Sequence, residues 1–200
     1  DASDDGSGGI CDTYADRDKR LQVVHFLVNQ GVSEARNEGI RRAGGKFVTF
    51  VDGDDYVKPE LVERLYDNLK TNHADISICG TEGMDGKGIP ASTYSREAAI
   101  SCMARRTPFL WTPWGKMYVM EYVKECPFDK NTVCGEDLPF FYQMVKRAGK
   151  ISYFPDKLYH YTYRDGSAVH HGVDEKRCAV LSILDSICED ACLEFPEAVP

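Results

Sequence analysis

The sequence has little positive charge and no long hydrophobic run. Its 200 residues carry 24 Lys and Arg against 32 Asp and Glu, for a formal net charge of −8. Because contacts to nucleic-acid phosphates need clustered Lys and Arg, DNA and RNA are not expected partners. No stretch approaches the roughly 18 consecutive apolar residues that a membrane-spanning helix needs. The sequence therefore predicts no transmembrane segment, while its 42% of hydrophobic residues suffices for a folded core.

The cysteines lack the spacings that metal sites and redox motifs use. There are eight of them, and no two form a CxxC pair or join a short Cys/His ladder. No signal peptide is visible among these residues, and free, buried thiols in a reducing compartment are expected rather than disulfides. Zinc binding through Cys188 and Cys192 is disfavoured, because that helical spacing supplies only two ligands. The chain also opens with Asp1 inside a polar segment, which suggests that a natural N-terminal part is missing.

Strand and helix signals alternate along the first half of the chain. Gly44 and Gly45 are typical of a helix end, and Pro59 is typical of a helix start. The predicted elements are a short helix 10–15, a strand Leu21–Phe26, a helix Ser33–Ala43, a buried strand Lys46–Val51, a helix from Pro59 and a strand Ile76–Cys79. This order predicts an α/β fold with a mostly parallel sheet flanked by helices, in which ligands bind at the carboxyl ends of the strands.

The second half of the chain is less regular. Its predicted elements are a helix from near Ser95, a helix Asp137–Ala148, two short strands Ile151–Phe154 and Leu158–Tyr163, and a last helix from Asp174 to about Leu193. We therefore expect a C-terminal helical segment that packs on the sheet domain.

Three carboxylates follow the predicted buried strand within four residues, at Asp52, Asp54 and Asp55. Side chains of like charge at this spacing repel one another unless a cation or a ligand offsets the repulsion. A solvated turn explains such a cluster as readily as a Mg²⁺ or Mn²⁺ site that bridges to a diphosphate. The position at the end of a buried strand is what makes the metal site a hypothesis worth keeping.

Two other segments carry side chains that suit chemistry. Glu136 and Asp137 begin a predicted helix, where a carboxylate either caps the helix or, if burial raises its pKa, accepts a proton. Arg164 follows an aromatic strand and could clamp a phosphate by bidentate hydrogen bonds. Trp111 and Trp114 are better explained by core packing than by a platform for a sugar ring.

Taken together, these segments resemble the inverting nucleotide-sugar transferases of glycosyltransferase family 2, from Asp1 to about Ser167. Five motifs carry the resemblance, in the order that the family has them. They are the loop Asp1–Ser7, the segment Asn29–Asn37 (Asn-x-Gly-x-Ser-x-Ala-Arg-Asn), the strand end Phe50–Tyr56 with its Asp-x-Asp pair, the segment Trp114–Tyr118 (Trp-x-Lys-x-Tyr) and the Glu-Asp pair of Gly135–Asp137.

The resemblance implies a GT-A, Rossmann-like fold and a role for each matching residue. Asp137 would be the catalytic base, with Glu136 beside it. Four residues would hold the nucleotide sugar, namely Asp1, Arg36, Asp52 and Arg164. Asp54 and His160 would meet a Mg²⁺ or Mn²⁺ cofactor, and Trp114 and Lys116 would lie on the acceptor side.

The function so implied is a metal-dependent inverting glycosyltransferase that moves a sugar from a nucleotide-diphosphate donor, with UDP as the expected carrier, to a hydroxyl of a glycan or lipid-linked acceptor. The expected place is the cytoplasm, with peripheral contact at the inner face of the membrane. Residues 1–172 would form the catalytic domain, which lacks the family's first strands, and 173–200 the helical segment. A non-catalytic sugar-nucleotide or glycan-binding module of the same fold is the alternative, and a nucleotidyltransferase is less favoured because its phosphate loop should be basic.

Overall fold

One mixed sheet of six strands organises the fold. The computed structural model describes residues 1–82, 89–105, 108, 110–132, 134–163 and 175–198. Its strands are β1 Phe47–Val48, β2 Tyr56–Val57, β3 Ile76–Glu82, β4 Ser92–Ser95, β5 Lys116–Val119 and β6 Lys150–His160. Its helices are α1 Ser7–Arg17, α2 Val32–Arg42, α3 Leu61–Asn72, α4 Arg96–Arg105, α5 Met120–Glu125, α6 Asp137–Arg147 and α7 Glu175–Glu194, followed by a short 3₁₀ helix Pro196–Ala198.

The strand order in the sheet is β1-β5-β3-β6-β2, and β4 pairs with β6. The α/β class is as predicted, but the sheet is mixed rather than mostly parallel. Among the strand pairs that the structure describes, β3 and β6 run parallel, whereas β5 runs antiparallel to both β1 and β3. The sequence does not reveal this reversal, because β5 lies in an aromatic segment without the alternation that marks a strand.

Four predicted strands differ from the observed ones. Leu21–Phe26 forms no strand, and Lys46–Val51 contributes only Phe47–Val48 plus an isolated bridge from Phe50 to Trp114. The two strands predicted between 151 and 163 are a single strand, β6, which continues through Pro155. Irregular register between β3 and β6 near Cys79 and Gly80 accommodates this proline, since a strand tolerates proline where the ladder is interrupted.

Helices cover both faces of the sheet. On one face, α3 buries Leu61, Leu65 and Leu69, which are spaced four residues apart and so share one side of the helix. On the other face, α4, α5 and α6 enclose the larger cluster, to which α6 contributes Phe140 and Phe141 among others. The start of α6 is thereby held against the edge of the sheet where β1 ends.

The C-terminal helix α7 is fastened to α6 by polar contacts. The Tyr142 hydroxyl donates to Asp190 Oδ2 over 2.6 Å, and Lys146 Nζ lies 2.7 Å from Asp190 Oδ2 and 3.0 Å from Glu194 Oε1. The predicted boundary between 172 and 173 lies outside the described residues. No helix among those described is long and apolar enough to cross a bilayer.

All eight cysteines are free thiols, as predicted from their spacing. Their predicted burial is wrong for half of them, because Cys11, Cys178, Cys188 and Cys192 are exposed and only Cys79 is fully buried. No cluster of three or more metal-binding side chains forms in the described parts of the chain, so Cys188 and Cys192 join no such site.

Candidate active site

One arginine gathers three carboxylates from two separate segments of the chain. Arg36 Nη1 lies 2.6 Å from Asp137 Oδ1 and 3.1 Å from Glu136 Oε1, and Arg36 Nη2 lies 3.0 Å from Asp52 Oδ1. Asp52 follows β1, Arg36 is on the second turn of α2, and Glu136 and Asp137 begin α6. These four residues, which the sequence singled out for separate roles, form one constellation that we call the Arg36 cluster.

The Arg36 cluster is largely shielded from water. The side chain of Arg36 is 11% exposed, and those of Glu136 and Asp137 are 14% and 27% exposed. Burial by itself lowers the pKa of Arg36, but Asp137, Asp52 and Glu136 together raise it above its ordinary value. The guanidinium therefore stays charged, and it is the positive centre that allows three carboxylates to lie close together.

Asp137 is the member of the Arg36 cluster whose protonation changes near neutral pH. Burial raises the pKa of Asp137 to about 7, Arg36 opposes this shift, and the neighbouring charges of Glu136 and Asp52 add to it. A carboxyl group with a pKa near the working pH is suited to general acid–base chemistry. The sequence left open whether burial raises the pKa of the carboxylate at this helix start. In the structure, burial outweighs the effect of Arg36 on the pKa of Asp137.

The backbone before α6 is set by a glycine and by α7. Gly135 has a φ of +80°, a conformation that L side chains rarely adopt. A Cβ atom at this position would lie 2.8 Å from Cγ2 of Val180, a residue of α7. This close packing fixes the chain immediately before Glu136 and Asp137, and therefore the direction in which their carboxylates project.

The acidic loop, residues 52–55, is held by a tyrosine that sequence reasoning missed. The Tyr159 hydroxyl donates to Asp55 Oδ2 over 2.6 Å and accepts a hydrogen bond from the Asp52 backbone N–H over 3.1 Å. Asp55 Oδ1 also accepts from the Thr162 backbone N–H over 2.8 Å. Asp55 is thus a structural carboxylate, whereas Asp54 is exposed. Only the uneven spacing of the three aspartates hinted at such a division of roles.

The acidic loop fits a divalent cation that is shared with a ligand. Within the described residues no three His, Cys, Asp or Glu side chains gather into a ready-made metal cage. Asp52 pairs with Arg36 and Asp55 accepts a hydrogen bond from Tyr159, and Asp54 is exposed in the same loop. Mg²⁺ commonly takes one or two carboxylates from the protein and its remaining ligands from phosphates and water, and this donor set suits that mode.

His160, the second predicted metal ligand, lies beside Glu82 and Tyr56. Its Nδ1 is 3.1 Å from Glu82 Oε2, and its ring stacks on Tyr56 at 4.1 Å between centroids. The hydrogen bond from His160 holds the pKa of Glu82 below its ordinary value. Since this bond uses Nδ1, Nε2 is the His160 atom that could meet a metal, and its role stays a prediction. Arg164, predicted to meet the diphosphate, lies outside the described residues.

The predicted acceptor-side residues, Trp114 and Lys116, do not agree with a surface role. Trp114 is 3% exposed and Lys116 is 2% exposed. The Trp114 ring stacks on Tyr159 at 4.4 Å, and Lys116 Nζ donates to the Thr112 carbonyl over 2.7 Å while lying 4.9 Å from the centre of the Phe141 ring. Core packing accounts for the burial of both side chains, and a contact of either with an acceptor stays a prediction.

Asp1 fastens the start of the chain to the turn before α2. Its two carboxylate oxygens accept hydrogen bonds from the backbone N–H groups of Gln30, over 2.7 Å, and Gly31, over 2.9 Å. The first and second sequence motifs are therefore in contact, close to the helix that carries Arg36. A uridine contact by Asp1 stays a prediction.

Comparison with known proteins identifies the family. Residues 1–126 match the family model Glycosyl transferase family 2, which is more than half of the chain, and the chain belongs to this family. It is 34% identical over 173 residues to the uncharacterized glycosyltransferase EpsJ of Bacillus subtilis, a match that covers 80% of this chain and 50% of EpsJ. It is 31% identical to the poly(ribitol-phosphate) beta-glucosyltransferase of Bacillus spizizenii, over 83% of this chain and 27% of that protein.

A solved structure supports the same fold assignment. Staphylococcus aureus TarS in complex with UDP-GlcNAc superposes with a TM-score of 0.78 and 25% identity, over 99% of this chain and 58% of the TarS chain. The predicted GT-A fold is confirmed by this likeness. The chain thus spans about half of EpsJ and of this TarS chain, and about a quarter of the glucosyltransferase. Glu136 and Asp137 lie beyond the matched residues 1–126.

Proposed function

We propose that this chain carries the catalytic site of an inverting glycosyltransferase that uses a nucleotide-diphosphate sugar. The observation that carries the proposal is the half-buried Asp137 at the start of α6, ion-paired with Arg36 and with its pKa raised to about 7. A non-catalytic sugar-binding module has no need of a carboxylate tuned in this way. Membership of glycosyl transferase family 2 supports the same conclusion.

Asp137 acts as the general base in this proposal. Arg36 occupies Oδ1 of Asp137, which leaves Oδ2 to take the proton from an acceptor hydroxyl. As that proton leaves, the acceptor oxygen forms a bond to the anomeric carbon, and the bond from this carbon to the diphosphate oxygen breaks with its electron pair on the diphosphate. A single displacement of this kind inverts the anomeric centre.

The acidic loop and Arg36 serve the leaving diphosphate. A bound Mg²⁺ or Mn²⁺ would stabilise the negative charge of the departing diphosphate as a Lewis acid, and Asp54 is the residue that we propose to hold it. Asp52 stays paired with Arg36, which keeps the guanidinium between the acidic loop and the base. This position lets Arg36 attract the diphosphate electrostatically while it orients Asp137.

The donor is proposed to be a UDP-sugar, because TarS, which shares the fold, was solved with UDP-GlcNAc. The acceptor is proposed to be a glycan or a lipid-linked glycan, in line with a relative that acts on poly(ribitol-phosphate). Action in the cytoplasm, with peripheral contact at the inner face of the membrane when the acceptor is lipid-linked, stays a prediction from the family resemblance.

Replacement of the base tests the proposal. Asp137→Asn should lower transfer from UDP-sugars, followed as UDP release with Mn²⁺ present, by about 10²-fold to 10⁴-fold, the usual worth of a general base. The affinity for UDP with Mn²⁺, measured by calorimetry, should stay nearly unchanged, because the base contacts the acceptor rather than the nucleotide.

Asp156→Asn is the matched control. Asp156 also pairs with an arginine, Arg64, over 2.6 Å, but at an exposed position outside the Arg36 cluster. This variant should keep wild-type transfer. Retained transfer in Asp137→Asn, or loss of its UDP binding, would overturn the assignment of Asp137, and UDP binding without transfer in the wild-type chain would favour the non-catalytic module.

A further inference from the structure

A buried phenylalanine lies between the two helices that supply the Arg36 cluster. The guanidinium carbon of Arg36 lies 5.1 Å from the centre of the Phe128 ring. The same ring stacks on Phe140 of α6 with centroids 4.0 Å apart and planes inclined by 11°. Phe128 is 3% exposed. It therefore touches both the arginine on α2 and the helix that begins with Asp137.

The backbone of Phe128 is itself locked to α2 by the residue after Arg36. Asn37 Nδ2 donates to the Phe128 carbonyl over 2.8 Å, and Asn37 Oδ1 accepts from the Phe128 backbone N–H over 2.9 Å. Asn37 is only 6% exposed. A buried amide that satisfies both backbone groups of one residue, 91 positions away, is costly to remove and defines one position for that residue.

We infer that Phe128, locked by Asn37, is a positioning residue that fixes the Arg36 guanidinium between the acidic loop and Asp137. A guanidinium donates its hydrogen bonds in its own plane and presents an apolar face above and below. The guanidinium carbon of Arg36 lies over the Phe128 ring while its two Nη atoms contact Asp52, Glu136 and Asp137, so the same group makes the ring contact and the ion pairs. This inference rests on the proposed function only for its catalytic consequence.

The placement of Phe140 strengthens the argument. Phe140 lies three residues after Asp137, one helical turn along α6. Because Phe128 stacks on Phe140, this contact sets the distance between α6 and the ring that lies beside Arg36. A long arginine side chain loses several rotamers when it is held in one geometry, and a rigid ring on one side reduces the number of alternative positions that it can reach.

The chain offers a matched control for this contact. The guanidinium carbon of Arg64 lies 5.7 Å from the centre of the Phe154 ring, and Arg64 pairs with Asp156. Phe154 is 6% exposed and belongs to the core cluster on the α3 side of the sheet. Replacing Phe154 by leucine thus removes a buried ring beside a second arginine, whose ion pair is more exposed, away from the Arg36 cluster.

Nuclear magnetic resonance of the arginine side chains tests the inference without any assay of transfer. In the wild-type chain the Nη protons of Arg36 should give resolved signals, because ion pairs at both Nη atoms slow rotation about the Cζ–Nη bonds. In Phe128→Leu this rotation should be at least about tenfold faster, as expected when charge-assisted hydrogen bonds loosen. Phe154→Leu should leave the Arg36 signals unchanged.

Arg36 signals that are identical in Phe128→Leu and the wild type, or altered equally by both leucine variants, would overturn the inference. If Phe128→Leu does not fold, Phe128→Met, which fills the space without a flat face, takes its place. If the proposed function also holds, Phe128→Leu lowers kcat about tenfold, in keeping with the sensitivity of catalysis to displaced groups. Retained transfer by Asp137→Asn would instead reject the proposed function and leave the resonance result standing.

Discussion

Two acidic segments meet at Arg36, and they differ in how they are supported. The acidic loop is fastened by the buried Tyr159, whose hydroxyl donates to Asp55 and accepts from the Asp52 backbone N–H, while Asp54 is exposed. The Glu136–Asp137 pair is instead fixed by the preceding residue, Gly135, which packs against Val180 of α7.

This difference separates two kinds of carboxylate chemistry. Asp137 is shielded from water, and burial raises its pKa to about 7 even with Arg36 beside it. An exposed carboxylate such as Asp54 has its charge solvated, which suits a ligand for a divalent cation. In the proposed mechanism Asp137 accepts a proton and Asp54 holds a cation, and the two aspartates differ in burial rather than in residue type.

The largest expected effect comes from a methyl group at Gly135. In Gly135→Ala the new Cβ meets Val180 Cγ2 at 2.8 Å, and the residue must keep a φ of +80°. We expect a loss of about 2–4 kcal/mol in the free energy of unfolding and a fall in transfer of at least about 100-fold, since the base is displaced. Urea unfolding and a transfer assay measure the two effects. Wild-type transfer in this variant would show that the support from α7 does not matter.

The pH dependence of stability should reveal the proton on Asp137. The pKa of Asp137 rises from 3.8 to about 7 on folding, so between these values the native state holds a proton that the unfolded chain lacks. The contribution of Asp137 to the free energy of unfolding must then fall as the pH rises from about 4 to about 7. Urea midpoints of the wild type minus those of Asp137→Asn should decrease across this window. A flat or rising difference would contradict the raised pKa.

A smaller effect is expected where the acidic loop is fastened. Tyr159→Phe removes the hydroxyl that bonds Asp55 and the Asp52 backbone N–H, which should cost about 1–2 kcal/mol of stability and weaken UDP binding in the presence of Mn²⁺. Tyr161→Phe is the control, because Tyr161 stacks on Trp114 without a hydrogen bond to the acidic loop. Equal losses of UDP affinity in the two variants, measured by calorimetry with Mn²⁺, would show that the Tyr159 hydroxyl has no special role.

The smallest effect is expected at Gly53, the glycine of the acidic loop. A Cβ atom at Gly53 meets nothing within 4 Å, so Gly53→Ala should change the free energy of unfolding by less than about 0.5 kcal/mol. The contrast between Gly53→Ala and Gly135→Ala, measured by the same urea titrations, isolates the difference in support between the two acidic segments. A similar loss of stability in both variants would remove that difference.

The sequence predicted the residues of the Arg36 cluster better than it predicted the strands of the sheet. Asp52, Glu136 and Asp137 were singled out by their positions at a strand end or a helix start, where local patterns are informative, and Arg36 was singled out by the family resemblance. The helices α2 and α6 were also predicted to within a residue or two. The short strands β2, β4 and β5 were missed, since two to four residues give no periodic signal.

What the sequence could not show depends on contacts between distant residues. The pairing of Asn37 with Phe128 spans 91 positions, and the packing of Val180 on Gly135 brings α7 to the start of α6. Burial of Lys116, with its ammonium group held by the Thr112 carbonyl, runs against the usual exposure of lysine. Each of these features arises from tertiary packing, which overrides local preference.

The proposed mechanism requires that Asp137 is a buried carboxyl group that changes its charge near neutral pH beside a permanently charged Arg36. Carbon-detected resonance of the Asp137 side-chain carboxyl, followed from pH 3 to pH 9, measures this directly. We expect a midpoint of about 7. A midpoint at or below the ordinary value of 3.8 would mean that Arg36 outweighs burial, and Asp137 would then be a poor base at neutral pH.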